Sequence, residues 1–213
     1  ARCSDELPGY VLAVEDDDPD TYPLTQINCI TAAEKRKFVS NIYYIRDYAV
    51  TAGDGIPTLV RSSFNLDGVV PAHQEAVAMI EGIEGFRVEL GIDDRSNAYV
   101  GEPTGTPVDY TVEVDWLDPD TRTTPTNRGD GSPDGAFITC TTATPCTVDQ
   151  LMNVTAVKIY VLVRSREAAP NYTDTKTYQV GDSVMGPFND GFKRHVYVST
   201  LRLPNIAGRR QTP

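Results

Sequence analysis

The residues best suited to metal or nucleophilic chemistry are two histidines, His73 and His195, and four cysteines, Cys3, Cys29, Cys140 and Cys146. Zinc needs closely spaced thiolate and imidazole pairs, and this chain has no Cys-x-x-Cys and no histidine spaced with a cysteine. A serine nucleophile needs a tight turn such as Gly-x-Ser-x-Gly, and a phosphate or dinucleotide site needs its own glycine pattern; none occurs. His195 alternates inside an apolar run, and His73 follows Pro71-Ala72 at a loop or cap. Asp118-Pro119-Asp120 and Asn127-Arg128-Gly129-Asp130-Gly131-Ser132-Pro133-Asp134-Gly135 offer hard oxygens of the kind calcium takes, but without the spacing of an EF-hand. Arg128-Gly129-Asp130 spells a receptor tripeptide too short to carry weight. Asp93-Asp94, at a strand end, reads as turn chemistry and not as the carboxyl pair of a glycosidase. Asn153-Val154-Thr155 and Asn171-Tyr172-Thr173 match a glycosylation pattern that matters only in a eukaryotic secretory route. The expectation is a protein with no catalytic residues, no cofactor and no metal ligands.

The cysteines point to crosslinks instead. Cys140 and Cys146 flank Thr141-Thr142-Ala143-Thr144-Pro145, a short polar loop that a disulfide would close. Cys3 and Cys29 then pair by elimination and clamp an acidic N-terminal segment. Other pairings are open in principle, and the local one is favoured because a polar segment without a core gains most from a crosslink. Disulfides imply an oxidising compartment: periplasm, cell surface or secreted medium. The alternative is a cytosolic protein with buried free thiols.

These residues sit in a chain of 213, enough for one large β domain or two small ones. Its 40% hydrophobic content allows a buried core. The net charge of -11 repels nucleic acid and anionic membranes, so neither is an expected partner. No apolar run reaches the ~20 residues needed to cross a bilayer. The chain opens on Ala1-Arg2-Cys3, without a basic then apolar leader. A fragment, a mature form and a protein without a leader are all compatible with that start.

The elements that would position any site read mostly as strands. Val157, Ile159, Val161 and Val163 share one face of a period-two run, and Lys158, Tyr160, Leu162 and Arg164 share the other. A second alternating run, Phe192 to Asn205, neighbours it across a long polar link, with basic residues closing the first strand and opening the second. Val39 to Val50 and Thr58 to Phe64 alternate around Gly53 and Asp54-Gly55, which predicts a hairpin. Phe86 to Asp93 predicts a strand with Phe86, Val88, Leu90 and Ile92 inward and Arg87, Glu89 and Asp93 outward. Thr111 to Leu117 is a weaker strand, and residues 74–85 fit either a strand or a short helix. Thr31 to Arg36 could form a helical turn capped by Thr31, with Glu34 three residues on. Residues 118–135 form a surface insertion. The fold expected is α+β and mainly antiparallel β, with a connector over 1–37 and one β-rich domain over 38–213.

Four of these patches together resemble the globular part of PilW-type minor pilins of type IV pili, relatives of the GspJ pseudopilin of type II secretion. They are Ile42 to Ile45 continuing through Gly55 to Arg61, Met79 to Asp93, Val157 to Ser165, and Phe192 to Asn205, in that order. The resemblance implies a pilin-like globular domain with two sheets and long loops. It also implies an N-terminal apolar helix, absent from this sequence, that would anchor the protein in the inner membrane before assembly and enter the filament core after it. It carries no catalytic residue. The role it implies is priming the filament and forming a tip complex with other minor pilins, the major pilin and an adhesin, in the periplasm or at the extracellular pilus tip. Three other readings compete. One is a secreted β-sandwich module binding a surface glycan or host ligand. The others are a secretion pseudopilin and an enzyme built on an acidic pair or a calcium in the 118–135 loop.

Overall fold

The computed structural model describes residues 30–67, 70–95 and 129–204. They form nine strands and one short helix: β1 (Asn41–Arg46), β2 (Thr58–Asp67), β3 (Val70–His73), β4 (Val77–Glu81), β5 (Ile83–Ile92), α1 (Val148–Met152), β6 (Val154–Arg164), β7 (Tyr178–Val180), β8 (Ser183–Met185) and β9 (Arg194–Arg202). Every strand pairing is antiparallel. The described domain is therefore mainly antiparallel β, as the alternation of apolar and polar residues predicts.

In the first sheet β2 is central. It pairs with β1 on one side and with β3 and β4, end to end, on the other. The β1–β2 link turns where the glycines allow it, with Gly53 and Gly55 both at positive φ. Asp54 fastens that turn: its carboxylate accepts hydrogen bonds from the backbone N–H groups of Ala49, Val50, Thr51 and Ile56. These bonds, Val50 and Ile56 foremost, hold its pKa down to about 2.

The second sheet runs β5-β6-β9, with the Val-rich β6 at its centre. Opposed residues place Phe86, Val161 and Tyr197 in one row on one face. Val88, Ile159 and Ser199 follow in the next row, then Leu90, Val157 and Leu201. The opposite face carries Gly85, Arg87, Glu89 and Gly91 from β5 and Ala156, Lys158, Tyr160 and Leu162 from β6. This second face is the covered one. The β7–β8 hairpin lies on it, with Met185 so close to Gly85 that a Cβ there would fall 2.8 Å from its sulfur. Beside Gly91, Pro133 and Phe137 leave no more room, a Cβ falling 2.7 Å from Pro133 Cγ. Two glycines on one face of β5 thus admit the layer above.

The expected polarity of β5 needs correction. Phe86, Val88 and Leu90 line a face that stays half-exposed, while Asp93 is fully buried and not outward. The register shifts between Gly91 and Ile92, which turns the end of the strand under the 129–135 segment. There Asp93 Oδ2 accepts from Gly131 N at 2.7 Å, and Asp134 accepts from the N–H groups of Asp94 and Arg95.

The two sheets meet at Gly82, where β4 bends into β5 at positive φ. Gly82 N–H donates to Pro57 O and its carbonyl accepts from Arg164 N, so one residue is bonded to both sheets. Ile83, Val60, Leu162 and Val180 are buried in the core around this junction. Residues 74–85 resolve as strand β4 and the Gly82 turn. No helix forms over 31–36. The helix that does form, α1, has a capping box: Thr147 Oγ1 accepts from Gln150 N, and Gln150 Oε1 accepts from Thr147 N. The weak strand expected at 111–117 and most of the 118–135 insertion lie outside the described residues.

Candidate functional site

Among the described residues, those predicted to bear chemistry do not converge. His73 closes β3, edge-on to Phe64 with ring centroids 5.4 Å apart. His195 lies in β9, edge-on to Tyr197 at 4.6 Å. Ser62 Oγ comes within 3.5 Å of His73 Nδ1, but the hydroxyl donates at 2.6 Å to Gln74 O. That commits its proton away from the imidazole and leaves no activated nucleophile. Among the described residues no group of His, Cys, Asp and Glu is arranged to hold a metal ion. Asp118 and Asp120 lie outside the described residues. Asp130 and Asp134 accept from backbone N–H groups of their own and neighbouring loops. Gly129 lies against the Asp93 carboxylate so closely that a side chain could not be accommodated there, which places the middle of Arg128-Gly129-Asp130 in a packed joint. In Asn153-Val154-Thr155 both the Asn and the Thr are buried. Cys140 and Cys146 form a disulfide with Cα atoms 5.1 Å apart, while Cys3 and Cys29 lie outside the described residues.

What the structure does bring together is an ionic clasp that the sequence shows only as scattered charges. Arg194, at the start of β9, has a side chain 1% exposed. Its guanidinium grips Glu84 of β5 through Nε and Nη2. It also reaches Asp190 at 2.6 and 2.7 Å and Asp174 at 2.9 Å. Phe188 stacks on it, with Cζ 3.8 Å from the ring centroid. Arg164, at the end of β6, approaches Glu84 at 3.4 Å, stacks over Phe192 and donates to Gly55 O at 2.6 Å. The clasp thus ties the β1–β2 turn, the second sheet and the long 165–193 link into one joint.

The buried carboxylates stay ionised because these donors face them. Burial pushes the Asp174 pKa up, but hydrogen bonds from Arg194, Tyr178, Lys176 N and Tyr172 outweigh it and the net shift is downward. For Asp190 the Arg194 hydrogen bonds dominate and lower its pKa. Tyr178 is pushed up to about 12, first by burial and then by the Asp174 carboxylate it donates to. This is a structural ion network: every charged group in it faces an opposite partner. No sequence signal singles it out, since Asp174 and Asp190 are two of four acids in the 165–193 link, with Glu167 and Asp182.

The surface the clasp steadies is different in kind. On the face of β5-β6-β9 that the other described residues leave uncovered, Tyr197 is 59% and Leu201 50% exposed, beside half-buried Phe86, Val88, Leu90, Val157, Ile159 and Val161. A contiguous apolar face of this sort marks an interaction surface. The chain matches the family described as Type IV Pilus-assembly protein W over residues 42–205, most of its length, and belongs to that family. Membership brings a part in type IV pilus assembly, interaction with other pilus components and a place in the cell envelope or pilus. No curated protein and no solved structure matches the chain. Among the described residues no helix is long and apolar enough to cross a membrane.

Proposed function

We propose that this domain is the headpiece of a minor pilin. It joins sibling minor pilins and the major pilin in the complex that primes the filament, and stays at the tip with an adhesin, in the periplasm first and outside the cell afterwards. The observation that carries this reading is the uncovered apolar face of β5-β6-β9 in a chain of a pilus assembly family. Burying side chains such as Tyr197 and Leu201 against a sibling subunit is favourable by about 25 cal/mol per Å² of apolar area, before the cost of association is subtracted. Cys3 pairing with Cys29 would clamp the segment that leads into the domain. The test is a pull-down of this chain with each sibling minor-pilin headpiece. Binding that Leu201→Asp abolishes supports the reading, and failure to bind any sibling overturns it.

A further inference from the structure

The sheet that carries the apolar face also ends in an edge unlike the others. β1 has six residues. β3 contains Pro71, and β4 pairs irregularly with β2, the register shifting between Leu59 and Val60. The outer edge of β5 is occupied at Leu90, which exchanges two backbone hydrogen bonds with Ile138 at 2.8 and 2.9 Å. Those are the ordinary devices that blunt a sheet edge. Among the described residues β9 has none of them. Its nine residues contain neither proline nor glycine, and its register with β6 is unbroken from Arg164↔Arg194 to Ala156↔Arg202. Among the described residues β6 is its only strand partner. From Tyr197 to Leu201 every side chain is exposed, on both faces of the strand. In an antiparallel ladder alternate residues aim their N–H and C=O groups away from the paired strand, so this edge offers a row of donors and acceptors.

The charge around this edge also differs from that of the rest of the chain. Among the described residues that follow Asp190, Lys193, Arg194 and Arg202 are basic and none is acidic. Exposed Lys193 precedes the strand and exposed Arg202 ends it, while the Arg194 charge is already matched inside the clasp. One exposed basic residue at each end of the strand, on a protein of net charge -11, favours an acidic segment of a different protein over a second copy of this acidic chain. The clasp also holds the strand in place beforehand, so little ordering is needed on binding.

Building on the pilus-assembly reading above, we propose that the outer edge of β9 accepts a strand from another pilus subunit: an extended segment with alternate apolar residues and with Asp or Glu facing Lys193 and Arg202. Main-chain bonds supply the attachment and the flanking charges set the register. The experiment is amide hydrogen exchange on this chain, alone and with each sibling minor-pilin headpiece, with and without Arg202→Glu. The expected result is slowed exchange at alternate amides of 195–201 in one complex, and binding about tenfold weaker in Arg202→Glu through a slower association rate. A sibling that binds while the β9 amides exchange unchanged overturns the strand proposal and leaves the assembly reading standing. Protection that ignores both salt and Arg202→Glu overturns the acidic partner. Protection in the chain alone at high concentration makes a second copy the occupant and overturns the proposal. Absence of binding to every sibling overturns both readings.

Discussion

Replacing Arg194 by Met keeps most of the apolar stem over Phe188 and deletes the guanidinium. Asp174, fully buried, then keeps only the Tyr172 and Tyr178 hydroxyls and the Lys176 N–H as donors. Glu84 keeps only Arg164, at 3.4 Å, while Asp190 is more open and can turn to water. Removing one partner of a buried ion pair costs roughly 3–5 kcal/mol, because the other charge stays buried and unmatched. For a chain of this size each kcal/mol moves the melting temperature by about 2–4 °C, so a fall of roughly 6–20 °C is expected. The assay is a thermal melt followed by circular dichroism at pH 7 and again in steps below pH 4. Asp174 and Asp190 have pKa values below their ordinary range in the fold, so their contribution is present above about pH 4 and fades as the pH falls through the lowered values. The gap between wild type and Arg194→Met must therefore narrow on acidification. A fall of less than about 2 °C, the size of an ordinary surface substitution, or a gap independent of pH refutes the clasp as a stabilising joint.

Tyr178, neutral in the fold up to about 12, makes the protein less stable as pH rises from the ordinary tyrosine value towards 12, and Tyr178→Phe, followed by urea midpoints, flattens that alkaline limb. Opening the Cys140–Cys146 loop with a double Ser substitution releases a short loop and costs about 2 kcal/mol by chain entropy, measurable in a denaturant titration. Gly85→Val drives a side chain into Met185 and Leu162 and costs about 1–3 kcal/mol, seen as a lower urea midpoint with an unchanged slope. Asp54→Ala removes the acceptor shared by four backbone N–H groups, and hydrogen exchange in residues 49–56 accelerates while β6 stays protected.

The strands were legible because a period-two pattern over Val154–Arg164 and Arg194–Arg202 has no competing helical reading. The β1–β2 hairpin was legible from Gly53 and Gly55, which the turn requires at positive φ. Alternation alone did not say which face of β5 would be covered. That depended on Gly85 and Gly91 admitting Met185, Pro133 and Phe137, contacts set by residues distant in sequence. Asp93 misled for a related reason: a register shift after Gly91 moved it to the inside, and periodicity cannot foresee a bulge. The clasp escaped because Glu84, Asp174, Asp190 and Arg194 come from three separate segments, and only the pairing of β5, β6 and β9 brings them within bonding distance. The short helix left a readable trace, Thr147 with Gln150 three residues on, the same signature that pointed wrongly to a turn at Thr31. At 147–152 hydrogen bonds at both ends hold the turn: the reciprocal Thr147–Gln150 pair, and the Asn153 side-chain amide donating to Asp149 O. At 31–36 no regular element forms.

In the function proposed above, the domain docks the sheet face left uncovered by the described residues onto sibling pilus subunits. The most direct measurement is a count of surface pili, by electron microscopy, on cells whose only copy of the protein carries Leu201→Asp, with the purified variant shown to melt within a few degrees of wild type. Loss of most pili, alongside a normally folded domain, is the predicted result. Wild-type numbers of pili would contradict it.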